Sequence, residues 1–149
     1  MKVSLNRVSR RSPRWMDAAW QRRVARAAAR VGRRGAAVNL VVIDDREMRR
    51  LNRRYRGMDK PTDVLSFGYE AGPGDALVGD VYVSHETLSR DARRLGLEAR
   101  HLAVRIVVHG LLHVIGYDHE SDADAARMER RERAVLKRVL PAAVVRELF

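Results

Sequence analysis

Residues 98–115 restrict the fold most strongly, because this segment is apolar on nearly every face of a helix. Its aliphatic side chains are Leu102, Val104, Ile106, Val107, Val108, Leu111 and Leu112. Gly116 follows directly and predicts that the helix ends there. A helix that is hydrophobic all round is stable only when other elements cover it on most sides. The sequence therefore predicts a helix at the centre of a domain.

The rest of the chain carries patterns of both strands and helices. Strands are predicted over residues 2–8, 38–43, 62–67 and 77–84, with a bend allowed at Gly79. Further helices are predicted over residues 13–31, 45–55, 85–95 and 122–140. The predicted N-caps, in the same order, are Ser12, Asp44 or Asp45, Ser84, and Ser121 or Asp122. Pro141 is predicted to stop the last helix. Residues 71–75 form a predicted loop that is too short to separate two domains.

These elements do not alternate regularly, as they would in a doubly wound fold. We therefore expect an α+β fold with one domain over residues 1–149. In this fold a mixed sheet of about four strands packs with helices, and the helix of residues 98–115 is central.

Composition excludes several classes of protein. The chain has no cysteine, so a transition-metal site has to use His, Asp or Glu. No apolar run approaches the roughly 18 residues that suggest a membrane span. The arginine-rich N-terminus superficially resembles a transit peptide, but residues 1–8 fit a first strand better. We therefore expect a cytoplasmic protein without a membrane partner.

The net charge of +11 is unevenly distributed. Residues 1–60 hold 18 Lys or Arg and 5 Asp or Glu, a balance of +13, whereas the rest holds 12 basic and 14 acidic residues, a balance of −2. Such asymmetry favours a polyanionic partner such as a nucleic acid. The alternative is codon usage in a GC-rich genome, because most basic residues are arginine and the chain is rich in alanine. Charge alone leaves both explanations open.

Three of the five histidines lie within the eleven residues from position 109 to position 119. His109 and His113 are four positions apart and so share one face of a helix. Gly116 can adopt the left-handed conformation that turns the chain back, which would bring His119 to the same centre. Three neutral imidazoles suit zinc and leave a fourth position for a water of lowered pKa. The pattern favours one zinc ion per chain over a structural histidine cluster.

The spacing is that of the metzincin zinc signature, H-E-x-x-H-x-x-G-x-x-H, with one departure. Gly110 stands where that signature has the glutamate that acts as general base. A peptidase of this type would lack its proton acceptor, so the sequence argues against proteolysis. The alternative proton acceptors are Asp118, Glu120 and a phosphate oxygen of the substrate.

Residues 51–67 form a second informative stretch, with the end of a helix, a basic loop and a strand. Arg56 could present a planar guanidinium to a phosphate, and Lys60 could add charge. The residues alone favour the simpler interpretation, a solvated surface arginine. Asp63 and Asp80 each fit a metal neighbour or an ordinary capping residue, and these alternatives stay open.

Together these stretches resemble the bacterial YbeY family of endoribonucleases, also called ribosomal RNA maturation factors. The resemblance spans about residues 38–135. It lies in residues 109–119, in Leu51, Asn52, Tyr55, Arg56 and Gly57, in residues 60–67, and in Gly79 and Asp80. Gly68 departs from the proline that members often have after the Ser-Phe pair.

The resemblance implies zinc ligands at His109, His113 and His119, and catalytic roles for Arg56 and His109. It implies a single-strand-specific, zinc-dependent endoribonuclease that acts in 16S rRNA 3′-end maturation and ribosome quality control. The expected partners are single-stranded RNA, ribosomal RNA and the small ribosomal subunit, and not DNA. The alternatives are a non-catalytic, zinc-stabilised ribosome assembly factor and, third, a metallopeptidase.

Overall fold

The computed structural model describes residues 1–9, 11–69 and 77–149, so the predicted loop over residues 71–75 lies outside the described residues. The described strands form one sheet: β1 (Lys2–Arg7), β2 (Ala37–Ile43), β3 (Val64–Gly68) and β4 (Leu77–Ser84). The described helices are α1 (Ala18–Val31), α2 (Asp45–Arg56), α3 (His85–Leu95), α4 (Ala99–Val114), α5 (Asp122–Leu136) and α6 (Ala142–Glu147).

The strand order across the sheet is β1-β2-β4-β3. Strands β1, β2 and β4 are parallel, and β3 pairs antiparallel with β4 at the edge. The predicted α+β class with a mixed four-stranded sheet is therefore confirmed.

Helix α4 occupies the centre of the fold, as its apolar sequence predicts. It contacts α1, α3 and α5 as well as β3 and β4. Val104, Val108, Leu111 and Leu112 on this helix are 0% exposed. Because close packing holds the helix on several sides, its C-terminal turn has a fixed position beside the sheet. Across the described residues, no helix combines the length and the hydrophobicity that crossing a bilayer requires.

The two faces of the sheet are covered differently, because successive residues of a strand point to opposite faces. One face, which we call the covered face, packs against α1 and α4. Its buried strand residues include Val38, Leu40, Val42, Val81 and Val83. The other face, which we call the second face, is partly covered by α2. Here Ile43, Met48 and Leu65 form a separate small cluster.

Strand β4 is irregular next to Gly79, where the sequence allows a bend. The pairing register with β2 shifts between Ala37 and Val38. A Cβ at Gly79 would lie 2.4 Å from the carbonyl oxygen of Phe67 and 2.7 Å from a methyl group of Val114. Glycine at this position therefore allows the close approach of β3 and of the end of α4.

The predicted start of the first helix is wrong. The hydroxyl of Ser12 donates to the Ser9 carbonyl at 3.0 Å instead of capping a helix. Helix α1 begins at Ala18, and the carboxylate of Asp17 caps it by accepting from the Trp20 N–H at 2.9 Å. Because the Ser12 hydroxyl is bonded within this local turn, it does not cap a helix that begins at residue 13.

The predicted end of the last helix is also wrong. Helix α5 ends at Leu136, and the chain turns before residue 140. Pro141, with a φ of −58°, then precedes α6, a short helix that the sequence analysis did not predict. The fixed φ of proline suits the entry to a helix as well as the stop of the preceding one.

Candidate metal centre

The end of α4 and the turn after it bring the three histidines together. His109 and His113 lie one helical turn apart on α4. The N–H of Gly116 donates to the His113 carbonyl at 3.0 Å. Gly116 has a φ of +103°, which side-chain-bearing residues rarely adopt. The chain reverses here and returns His119 to the other two histidines, as the glycine predicted.

The ring nitrogens of these histidines converge. Nε2 of His109 lies 3.0 Å from Nε2 of His113. The ring centroid of His119 lies 5.7 Å from that of His109 and 5.0 Å from that of His113. One nitrogen from each ring lies within 4.8 Å of the other two, an arrangement that could hold a metal ion.

The donors are compatible with zinc. Tetrahedral zinc with Zn–N bonds of about 2.0–2.1 Å puts two ligand nitrogens about 3.3 Å apart, close to the 3.0 Å between His109 and His113. Burial, together with the neighbouring His109 and His119 rings, lowers the pKa of His113, which favours the neutral form that ligates metals. His119 is exposed and the others are half-buried, so the cluster has an open side, as catalytic zinc sites do.

A buried carboxylate that the sequence analysis missed binds His109 through the ring nitrogen that faces away from the cluster. Glu132 on α5 is 3% exposed, and its Oε1 binds Nδ1 of His109. With Nδ1 bound in this way, His109 presents Nε2 to the cluster. In the sequence, Glu132 follows Met128 by four positions on the same helix face, but this spacing does not identify His109 as its partner.

Arg105 on α4 gives this buried carboxylate a cationic partner. Its Nε lies 3.5 Å from Oε2 of Glu132. The same guanidinium donates to the Leu148 carbonyl and lies 3.9 Å over the ring of Phe149. His109 and Arg105 together offset the free-energy cost of removing the charge of Glu132 from water. Arg105 also connects Glu132 to the chain beyond α6.

The histidines open into a cavity of about 460 Å³, which we call the histidine cavity. Arg56 and Asp63 line it together with His109, His113 and His119. Its remaining walls are Thr62, Val64, Leu65 and Ser66. The structure therefore places both stretches singled out in the sequence around one space.

Arg56 enters the histidine cavity from the last position of α2, and Gly57 ends that helix with a φ of +70°. Arg49 on the same helix pairs with Asp59 at 2.9 Å. By contrast, Arg56 has no ion pair within the part of the chain that the structure describes. What favours the functional interpretation over that of a surface arginine is the place of Arg56 in the wall of the histidine cavity.

Asp63 lines the histidine cavity, whereas Asp80 lies on the second face. Burial raises the pKa of Asp63, against the opposing effect of a hydrogen bond from the Val64 backbone. A carboxyl group of raised pKa in a cleft is typical of acid–base positions. Asp118 and Glu120, the bases considered from the sequence, are exposed and do not line this cavity.

Gly110 has no room for a side chain. A Cβ at this position would lie 2.7 Å from a methyl group of Val81 and 3.0 Å from Oγ of Ser66. The position that carries the catalytic glutamate in metzincins instead brings α4 close to β3 and β4. This contact adds a steric argument against a peptidase of that type.

Fold and histidine cluster define an α+β protein with a candidate metal site, and comparison with known proteins narrows this class to one family. The model of the family described as Endoribonuclease YbeY matches residues 5–140. An Endoribonuclease YbeY of Anaeromyxobacter sp. (strain Fw109-5) is 44% identical over 129 residues, which cover 85% of this chain and 67% of the relative. Another, from Moorella thermoacetica, is 48% identical over 122 residues, which cover 74% of this chain and 78% of the relative. The chain belongs to the YbeY family, as its motifs implied.

A solved structure supports the fold. The solution structure of a Thermotoga maritima protein aligns with a TM-score of 0.57 over 91% of this chain and 90% of the other, at 23% identity. At that identity the likeness concerns the fold alone.

Proposed function

We propose that this protein is a single-strand-specific, zinc-dependent endoribonuclease. One zinc ion per chain would be held by His109, His113 and His119. The observation that carries the proposal is the convergence of these histidines with Arg56 and Asp63 in the histidine cavity. The relatives' name, Endoribonuclease YbeY, supplies the reaction class. In this proposal, residues 1–149 form one hydrolase domain.

When bound, zinc supplies Lewis acidity and lowers the pKa of a water in this cavity. Hydrolysis joins the water oxygen to the scissile phosphorus and breaks one phosphorus–oxygen ester bond. Asp63 accepts the proton of the water, and the leaving oxygen takes a proton from solvent. Asp63 suits this role by its position, because it lines the same cavity as the three histidines.

Arg56 binds the scissile phosphate. Its planar guanidinium can donate two parallel hydrogen bonds to phosphate oxygens and offset the negative charge that grows during the reaction. His109 contributes to catalysis through its fixed orientation, because Glu132 holds its Nδ1. Each group thus has one task in the same cavity.

The proposed substrate is ribosomal RNA of the small subunit. We propose a role in 16S rRNA 3′-end maturation and ribosome quality control, in the cytoplasm. Support comes from the motif resemblance and from the balance of +13 in residues 1–60, which suits a polyanion. DNA and membranes are not part of the proposal.

The test is cleavage of an end-labelled single-stranded RNA by wild type, chelator-stripped wild type, zinc-restored wild type and His113→Ala. We expect cleavage to disappear on stripping and in His113→Ala, and to return with zinc, while circular dichroism shows an unchanged fold. Cleavage that persists in metal-free His113→Ala would refute the proposal. Ribosome association without cleavage by the zinc-loaded protein would instead indicate the non-catalytic assembly factor.

Arg56→Ala separates phosphate catalysis from simple attraction. Loss of a contact that strengthens in the transition state lowers the rate by roughly 100- to 1,000-fold. Arg53→Ala, on the same helix and outside the histidine cavity, serves as the matched control. We expect Arg53→Ala to change binding and its salt dependence but not the rate at saturating RNA. Equal, modest effects of both variants would remove Arg56 from the catalytic group.

A further inference from the structure

The second face of the sheet carries a cavity with aromatic walls beside the histidine cavity. Its volume is about 230 Å³, below the range of roughly 300–1,000 Å³ typical of drug-sized ligands. We call it the aromatic cavity, and its lining residues are Leu51, Tyr55, Phe67, Tyr69, Asp80 and Tyr82. A space of this size suits one small planar group.

The aromatic rings are arranged as a wall and not as a closed core. The rings of Tyr55 and Phe67 meet edge to face at 5.0 Å, and those of Phe67 and Tyr82 at 5.8 Å. Tyr55 and Tyr69 are nevertheless 55% and 43% exposed. The large hydrophobic residues exposed in the described chain are Val8, Tyr55, Met58, Tyr69 and Leu95. Two of these five line the same small cavity, which indicates a binding surface.

Polar contacts fix the orientation of the outer ring. The Tyr69 hydroxyl donates to the carboxylate of Asp80, and this hydrogen bond raises the pKa of Tyr69 to about 12. Asp80 also accepts from Nδ2 of Asn39 at 3.0 Å. These contacts hold Tyr69 in place, so a ligand that stacks on its ring causes little further loss of side-chain entropy.

The aromatic cavity and the histidine cavity share two structural elements. Tyr55 lines the first and Arg56 the second, because adjacent positions of α2 point about 100° apart. On the edge strand β3, Ser66 lines the histidine cavity and Phe67 the aromatic cavity. The two cavities therefore lie on opposite sides of the edge strand β3, and an RNA that crosses this edge with a phosphate at Arg56 can place a neighbouring base at Tyr55.

We propose that the aromatic cavity is a nucleobase subsite for single-stranded RNA. A base next to the scissile phosphate stacks against Tyr55 and Tyr69 while the phosphate lies at Arg56. This inference rests on the proposed ribonuclease function and adds the part of the substrate that the second face binds. Stacking of this kind tolerates any base, because every base has a π-face.

The test measures equilibrium binding of a fluorescein-labelled single-stranded RNA 8-mer by anisotropy, with the zinc-loaded protein and phosphorothioate linkages that resist cleavage. Removing an aromatic stacking partner weakens binding by roughly 5- to 150-fold, and we expect a loss in this range for Tyr55→Ala. Tyr55→Phe keeps the ring and should bind within about twofold of wild type. Leu95→Ala removes an exposed apolar side chain from the end of α3 and should have no effect.

Abasic RNAs identify the group that Tyr55 contacts. A series of 8-mers, each lacking one base, should contain one that wild type binds as weakly as Tyr55→Ala binds the intact RNA. For that oligonucleotide, Tyr55→Ala should cause little further loss, because the stacking partner is already absent.

The outcomes separate this inference from the proposed function. If the wild-type protein neither binds nor cleaves RNA, the proposed function is wrong. Metal-dependent cleavage together with unchanged RNA binding by Tyr55→Ala would overturn the subsite alone. A Tyr55→Ala loss that persists with every abasic RNA would also overturn it, because the ring would then serve another ligand such as a protein partner.

Discussion

The covered face and the second face of the sheet differ in how completely they are packed. On the covered face, α1 and α4 enclose a core that extends through α5 to Val145 and Leu148. On the second face, the buried cluster in the described chain consists of Ile43, Met48 and Leu65. Tyr55 and Tyr69, which line the aromatic cavity on this face, are about half exposed.

This difference separates two requirements of the proposed chemistry. Metal ligands have to keep their spacing to within about half an ångström, which a close-packed support provides. Accordingly, the histidines lie on or just after the most enclosed helix. A surface that binds a flexible polymer needs exposed planar groups instead, and a thinly covered sheet face leaves them accessible.

The strongest test of this comparison is a pair of leucine truncations. Leu40 on β2 is enclosed on the covered face, whereas Leu51 on α2 is half-buried at the margin of the second-face cluster. We expect Leu40→Ala to lower the free energy of unfolding by about 2–5 kcal/mol, because it truncates a fully buried core side chain. Leu51→Ala should lower it by about 1 kcal/mol. Urea denaturation of the chelator-stripped proteins measures both, and equal losses would contradict the comparison.

Glu132→Gln tests how the packing on the covered face supports the metal ligand His109. The change keeps the size of the side chain but removes the charge that holds Nδ1 of His109. Loss of such a supporting partner typically lowers metal affinity 10- to 100-fold, and we expect a loss in this range. Competition with a zinc chelator measures it, with Glu129→Gln, an exposed position on the same helix, as the control. Unchanged zinc affinity would show that Glu132 serves packing alone.

The smallest effect concerns acid stability where α2 meets α3, next to the second face. Burial alone would raise the pKa of Asp45, but hydrogen bonds from Arg90, Thr87 and Ser84 outweigh it and hold that pKa below 3.8. A lowered folded pKa contributes stability above about pH 4, which is lost as the pH falls through the folded value.

Asp45→Asn should therefore reduce stability near pH 6 by no more than about 1 kcal/mol and flatten its decline between about pH 5 and pH 2. Thermal denaturation across this range measures the effect. A decline as steep as that of wild type would assign the acid sensitivity to other carboxylates.

Features that depend on local chemistry could be predicted from the sequence. The all-round apolar pattern predicted the central position of α4, and the spacing of His109, His113, Gly116 and His119 predicted their convergence. Helix ends were less predictable, because several side chains compete for the same backbone groups. For the first helix the sequence analysis predicted a cap at Ser12, but the Ser12 hydroxyl donates to the Ser9 carbonyl and Asp17 caps α1 instead.

Features that depend on tertiary packing could not be assigned. Glu132 lies 23 residues beyond His109 in sequence, and no local pattern indicates that α5 packs against α4 in this register. Asp63 and Asp80 looked equivalent in the sequence. The faces of the sheet distinguish them, since Asp63 lines the histidine cavity and Asp80 the aromatic cavity.

The closeness of the three histidines depends on one helical turn and one glycine. All of them lie between residues 109 and 119, so the unfolded chain keeps the same chelating segment. A ligand that binds both the folded and the unfolded chain stabilises the fold only by the difference between its two affinities. Zinc should therefore raise the thermal midpoint by less than its affinity for the folded site alone would give.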